Sequence, residues 1–122
     1  MGNNPICTSL EQSERLLDLG IDTKTADMSY VLRNNQPVRL VVMTDVPDGM
    51  LQTIPAWSLS VLIDLLPGFL HVDNKDYVLT LLINRVVYWR PDADRLYETT
   101  QGCLLDAVVE AIEWLVTEGW LE

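Results

Sequence analysis

The sequence is poor in the residues on which most catalytic and nucleotide-binding sites depend. Its 122 residues include one histidine, and its six glycines form no GxG or GxxxxGK pattern. A phosphate cradle needs such glycines before a helix, so nothing here predicts nucleotide binding. His71 has no Gly-x-Ser-x-Gly elbow to supply a nucleophile, and we therefore expect a surface residue of a strand, not a catalyst.

The chain has only two cysteines, Cys7 and Cys103, and they are far apart in sequence. Neither belongs to a CxxC pair or has a neighbouring histidine, so the sequence predicts reduced, structural thiols and no zinc site. The segment Asp92-Ala93-Asp94 begins like a calcium loop, but Leu96 and Tyr97 stand where such a loop has an oxygen ligand and a glycine. We therefore predict no catalytic, cofactor-binding or metal-binding residues.

Basic residues are few, since 8 lysines and arginines stand against 18 aspartates and glutamates, for a net charge of -10 at pH 7. This balance opposes direct binding to nucleic acid and to anionic lipid. The acidic residues recur from Glu11 to Glu122, which is typical of a charge that keeps a protein soluble. Asp106, Glu110 and Glu113 share one face of a predicted helix, opposite its apolar stripe, so we expect that face to lie in water.

Long hydrophobic runs are also missing. The longest, Val61 to Leu66, is interrupted by Asp64 and closed by Pro67, far short of the ~20 residues that a membrane span needs. The first residues carry neither a basic region nor an apolar region of the kind found in secretion signals. We therefore expect a cytoplasmic protein with no membrane association.

Hydrophobic residues make up 48% of the chain, which at this length is enough for the core of one domain, 1–122. The pattern predicts an α+β fold, a single layer of mainly antiparallel sheet packed by three helices in the order α-ββ-α-βββ-α. The helices are predicted at residues 9–19, at 56–66, and from Thr99 or Thr100 to Glu118, with Gly119 ending the last one. The strands are predicted at Tyr30–Leu32, Val38–Met43, Phe69–Val72, Tyr77–Ile83 and Val86–Arg90, with a short edge at Leu96–Glu98. Tight turns are predicted at Asp73-Asn74-Lys75-Asp76 and at Asn84-Arg85.

The first helix has capping and stop signals at both ends. Thr8 or Ser9 can cap it, because Glu11 or Gln12 three residues on can bond back to the cap, and Gly20 ends it.

The second helix is bounded by prolines. Residues 45–55 are predicted as an exposed connection because Pro47 and Pro55 break regular ladders, and Pro55 also suits the first turn of a helix. That helix is apolar on nearly every side except for a strip of Ser60 and Asp64, so it lies either in the core or in an interface.

Tryptophan is frequent for so short a chain, with four copies against one phenylalanine. It serves cores and binding surfaces alike, because it offers a large apolar area and one N–H donor. Trp114 lies beside the apolar stripe of the last helix and Trp57 begins the apolar helix, so both are predicted in the core. Trp89, near the edge of the meander, and Trp120, near the end of the chain, are predicted to mark a partner surface.

Three stretches of the chain form a recognisable set, namely Ser9 to Leu17 with Gly20 and Thr25-Ala26-Asp27-Met28, Pro55 to Ser60 with Leu65-Leu66-Pro67, and Asp106-Ala107 to Trp114-Leu115. Together they resemble a group of small uncharacterised proteins encoded by gut Bacteroidales and their phages or mobile elements. The resemblance implies a phage or prophage setting and an accessory role, and it supplies no catalytic residues, because the group has no assigned activity.

Three functional hypotheses remain. The first is a noncatalytic accessory protein that binds another protein or itself, because site chemistry is missing while tryptophans and an apolar helix are present. The second is acidic mimicry of nucleic acid on a basic host or phage protein. The third is an enzyme that uses Asp64 beside Ser58 or Ser60.

Overall fold

The computed structural model describes residues 5–34, 36–42, 52–91 and 94–121, and it confirms the α+β class with antiparallel strands. Over these ranges the elements are α1 (Leu10–Asp18), a short 3-10 turn (Thr23–Thr25), β1 (Met28–Arg33), β2 (Gln36–Val42), β3 (Gln52–Ala56), α2 (Leu59–Leu65), β4 (Phe69–Val72), β5 (Lys75–Leu82), β6 (Arg85–Trp89), β7 (Arg95–Thr100) and α3 (Leu104–Thr117).

The strands form two sheets, so the prediction of one sheet is wrong. One sheet has three strands in the order β2-β1-β3, and the other has four in the order β4-β5-β6-β7. Pro37 lies on β2 and Pro55 on β3, which are the two edges of the three-stranded sheet. Proline has no N–H donor for a further ladder, so neither edge is suited to accept another strand.

β3 was not expected from the sequence. The predicted connection 45–55 and the predicted helix 56–66 both overlap it, while residues 45–51 lie outside the described ranges. Pro55 is a residue of this edge strand and not the first turn of a helix, and α2 begins only at Leu59. The polar strip of α2 is confirmed, because Ser60 and Asp64 are exposed.

The last helix begins at Leu104 and not at Thr99 or Thr100. Both threonines belong to β7, where they pair with Val86 and Arg85 of β6. Their β-branched side chains favour a strand, and this explains why the predicted short edge extends to Thr100.

Several local predictions are confirmed. Ser9 and Gln12 form a capping box at the start of α1. Gly20 and Gly119 follow α1 and α3 with φ of 89° and 84°, which closes each helix in the left-handed conformation that glycine tolerates best. The tight turn between β4 and β5 contains Asp73–Asn74, both with positive φ, as the favoured two-residue hairpin turn requires.

The described residues fall into two compact units, divided between Val61 and Leu62. In the first unit α1 packs against β3, and its buried residues include Leu16, Val31, Ala56 and Trp57. In the second unit α3 packs against β6 and β7, and its buried residues include Val86, Tyr88, Ile112 and Leu115. The assignment of the chain to one domain stays a prediction.

Candidate functional site

A set of hydrogen bonds fastens the segment before α1 to the residues after β3. The Thr8 N–H donates to the carbonyl of Trp57 at 2.9 Å, and the Trp57 N–H donates to Thr8 Oγ1 at 3.1 Å. The Tyr30 hydroxyl donates to the carbonyl of Thr8 at 2.8 Å, and Ser13 Oγ lies 2.8 Å from Thr8 Oγ1. Thr8 and Ser13 are fully buried, so these bonds satisfy polar groups that water does not reach.

Ser58 is paired with Asp27, which the sequence analysis did not identify. The Ser58 N–H donates to Asp27 Oδ1 at 2.8 Å, and its hydroxyl donates to Oδ2 at 2.6 Å. The enzyme hypothesis placed Ser58 or Ser60 beside Asp64, but Asp64 and Ser60 are exposed on α2. No local signal could have revealed the pair, because its two residues are 31 positions apart.

The buried thiol beside this network is kept protonated. Cys7 Sγ lies 3.9 Å from the Tyr30 hydroxyl. Burial raises the pKa of the Cys7 thiol above its ordinary value and raises the pKa of Tyr30 to about 12. Nucleophilic catalysis needs the opposite shift, because the thiolate is the reactive form. The Cys7 thiol is therefore not an activated nucleophile. The hydrogen bonds around Thr8 have a structural role.

We expect Cys7 to react with a thiol reagent at pH 8 more slowly than Cys103, by on the order of tenfold or more, because Cys7 is buried and Cys103 is only partly covered. The measurement is the labelling rate of the Cys103→Ser and Cys7→Ser variants under native conditions. Equal labelling rates would contradict the buried position of Cys7, and labelling in denaturant provides the control for intrinsic reactivity.

The four-stranded sheet has one face covered by α3. Tyr97 of β7 stacks on Trp114 of α3 with ring centroids 4.2 Å apart, and Tyr88 of β6, which pairs with Tyr97, lies 6.3 Å from the same indole. Trp114, predicted in the core, is half-buried at this contact. Side chains alternate between the two faces along a strand. The residues next to Tyr88 in β6 and next to Tyr97 in β7 therefore belong to the opposite face of the sheet.

That opposite face, here called the outer face, carries apolar side chains. Phe69 pairs with Val78 and Val78 pairs with Trp89, so the three residues form a row across β4, β5 and β6. Leu82 lies further along β5 on the same face. Phe69, Val78 and Leu82 remain 62%, 47% and 45% exposed. Exposed apolar side chains grouped in this way are typical of a binding surface.

Trp89 is held in place on the outer face. Its Nε1–H donates to Thr80 Oγ1 on β5 at 2.7 Å, and the residue is half-buried. The indole therefore keeps a fixed orientation and still presents apolar area to solvent. Trp120 is 37% exposed, but it follows α3, which packs on the opposite face of the sheet. The described contacts do not bring the two predicted partner residues together.

Beside the apolar row lies a charged group of Arg85, Glu98 and Arg95, here called the basic cluster. Arg85 Nη1 lies 3.2 Å from Glu98 Oε2, and Arg95 Nη1 donates to Glu98 Oε1. Residues three apart in a regular strand point to opposite faces. A register shift in β7 opposite Tyr88–Trp89 brings Arg95 to the same face as Glu98, so this bulge builds the cluster.

The apolar row and the basic cluster border a groove of about 190 Å³. Its lining includes Leu82, Val87 and Trp89 together with all three residues of the cluster. Val87 is only 6% exposed, so the groove has a covered apolar lining between more exposed walls. We take this groove and the surrounding outer face as the candidate functional site.

Among the described residues, the others considered from the sequence do not line this groove. His71 is an exposed residue of β4, as predicted. It lies two positions from Phe69 and so on the outer face, and its Nδ1 lies 2.7 Å from Asp76 Oδ1. Asp94 accepts a hydrogen bond from the Tyr77 hydroxyl at 2.9 Å, while residues 92–93, the rest of the segment that was rejected as a calcium loop, lie outside the described residues. The three acidic residues of α3 were expected to lie in water, but each is only half-exposed. They are Asp106, Glu110 and Glu113.

Across the described ranges, no three histidine, cysteine, aspartate or glutamate side chains are grouped as metal ligands. Among the helices of those same residues, none has the length and apolar character to cross a membrane. Comparison of the chain with protein-family models, with curated proteins and with solved structures gives no match.

Proposed function

We propose that this chain is a noncatalytic accessory protein that binds another protein through the outer face of its four-stranded sheet. We also propose that the protein is located in the cytoplasm and that a phage or mobile element encodes it.

One observation carries the proposal: the outer face is an exposed apolar surface with a fixed tryptophan. Phe69, Val78 and Leu82 form it together with Trp89, which is oriented by Thr80. Burying a large apolar side chain contributes about 1.5–3 kcal/mol, and tryptophan is among the residues that most often dominate binding energy. A surface of this kind gains free energy when a second protein covers it.

The size of the groove favours a protein over a small metabolite. Sites that enclose small molecules usually measure roughly 300–1,000 Å³. The groove on the outer face measures about 190 Å³ and is open to solvent. It therefore suits a side chain that projects from a larger partner.

Val78→Asp is expected to reduce capture of the partner about tenfold or more, because it places a charge in the middle of the apolar row. The tagged full chain and its variants are used to capture proteins from nuclease-treated lysate of a Bacteroidales strain, and captured proteins are quantified by mass spectrometry. Val42→Asp is the matched control. Val42 is also an exposed strand valine, 46% against 47% for Val78, and it lies on β2 of the other sheet.

Capture by the unaltered chain and by Val42→Asp, with loss in Val78→Asp, supports the proposal. Equal capture by all three proteins contradicts it, as does the absence of any protein captured in a stoichiometric amount. A salt series adds a further contrast. A basic partner that is released at high salt and is insensitive to Val78→Asp would favour acidic mimicry instead.

A further inference from the structure

Resting on the proposed function, we infer the chemistry of the partner segment: the outer face binds a stretch of polypeptide that presents a carboxylate beside an apolar side chain. The carboxylate is bound by the basic cluster, and the apolar side chain enters the groove between Trp89 and Leu82.

The charge of the basic cluster selects an acidic group. Arg85 and Arg95 share a single carboxylate, that of Glu98, so the cluster keeps one net positive charge within a chain of net charge -10. A guanidinium carries five N–H donors arranged in a fork that matches a carboxylate. The Arg85 and Arg95 side chains are 39% and 54% exposed, and their bonds to Glu98 are made by Nη1 of each guanidinium. The cluster thus has donors that Glu98 does not use and that a partner can reach.

The groove beside the cluster selects an apolar group. Its 190 Å³ would hold roughly six water molecules, which is the space of one or two side chains. Val87 and Leu82 line it together with the indole of Trp89, whose only donor is already bonded to Thr80. This apolar lining can therefore contact an apolar side chain, and it leaves no polar group that needs a hydrogen bond from the partner.

A second copy of this chain is a poorer occupant. Closed dimers pair the same patch on both subunits, so a two-fold axis near the groove would bring one basic cluster towards its equivalent. Repulsion between the two clusters would add to that between two chains of net charge -10. A separate acidic and apolar segment brings no second basic cluster, and its few charges are repelled less by this chain than a second chain of net charge -10 would be.

The test is selection of peptides by the full chain. A phage-displayed library of random peptides about twelve residues long is selected on the immobilised protein and, in parallel, on Val78→Asp. We expect the selected peptides to be enriched in Asp or Glu next to a large apolar residue, and only on the unaltered protein. Light scattering of the purified protein is expected to give the mass of a monomer.

A synthetic copy of the best peptide then measures the contribution of the basic cluster. Its affinity, followed by fluorescence anisotropy, is expected to fall about tenfold or more in Arg85→Gln and in Arg95→Gln. The same loss is expected when the acidic residues of the peptide become amides. Arg39→Gln is the control, because Arg39 is an exposed arginine on β2 of the other sheet, and its variant should change affinity less than about twofold.

Three outcomes of the peptide selection would overturn the inference: selected peptides without acidic residues, peptides rich in Lys or Arg, and no enrichment over Val78→Asp. A dimer that Val78→Asp converts to a monomer would also overturn it, because the occupant would then be a second copy. These failures are distinct from failure of the proposed function. If Val78→Asp abolishes capture from lysate while no acidic peptide is selected, the outer face binds a protein of different chemistry.

Discussion

Trp57→Ala is expected to lower the free energy of unfolding by about 3–5 kcal/mol, the usual cost of removing a large buried aromatic side chain. The Trp57 side chain is fully buried, and its Nε1–H donates to Thr25 Oγ1 at 2.8 Å. A chain of this length has a total stability on the order of 6–18 kcal/mol. The substitution thus removes a large part of the free energy of unfolding. The measurement is urea unfolding followed by circular dichroism.

Two further variants separate burial from hydrogen bonding at Trp57. Trp57→Phe keeps most of the apolar area and loses the donor, so it should cost about 1–2 kcal/mol. Trp120→Ala removes a tryptophan that is 37% exposed and should cost less than about 1 kcal/mol. A loss in Trp57→Ala no larger than that in Trp120→Ala would show that the Trp57 indole is not buried.

Trp89→Ala is expected to weaken binding of the partner about 30-fold or more while the protein stays folded. A central tryptophan of an interface often contributes 2 kcal/mol or more, about 30-fold in the dissociation constant. Trp89 lies on the outer face beside the groove, so its loss removes apolar contact from the proposed site. The measurement is the dissociation constant for the captured partner, with unfolding curves recorded for the same variants.

Thr80→Val distinguishes the orientation of the indole from its presence. Valine has nearly the shape of threonine but cannot accept the hydrogen bond from Trp89 Nε1, so an intermediate loss of affinity is expected. Trp120→Ala should leave the affinity unchanged. If instead Trp120→Ala weakens binding and Trp89→Ala does not, the partner binds near the end of α3 and the outer face is the wrong surface.

The four tryptophans show how far a local pattern reaches. The sequence predicted a buried Trp57 at the start of an apolar helix. The burial is confirmed, although α2 begins only at Leu59. It also predicted a core position for Trp114, which is half-buried and stacked on Tyr97. The sequence singled out Trp89 for a partner surface but could not show that Thr80 fixes its indole. That contact depends on the pairing of β5 with β6.

β3 shows why some elements escaped prediction. Pro55 is a strong local signal, and it suits either the first turn of a helix or an edge strand. Local sequence does not choose between these, because the choice depends on whether β1 is available as a neighbour. The structure provides it, with Pro55 opposite Ser29 of β1.

The sequence by itself determined the features whose free energy comes from near neighbours in the chain. These are the α+β class, the capping box of Ser9 and Gln12, the glycine ends of α1 and α3, and the tight turn at Asp73–Asn74. Tertiary structure alone decided the division into two sheets, the Asp27–Ser58 pair and the basic cluster. The cluster depends on one bulge in β7, because a shift of a single residue moves Arg95 from one face of the sheet to the other.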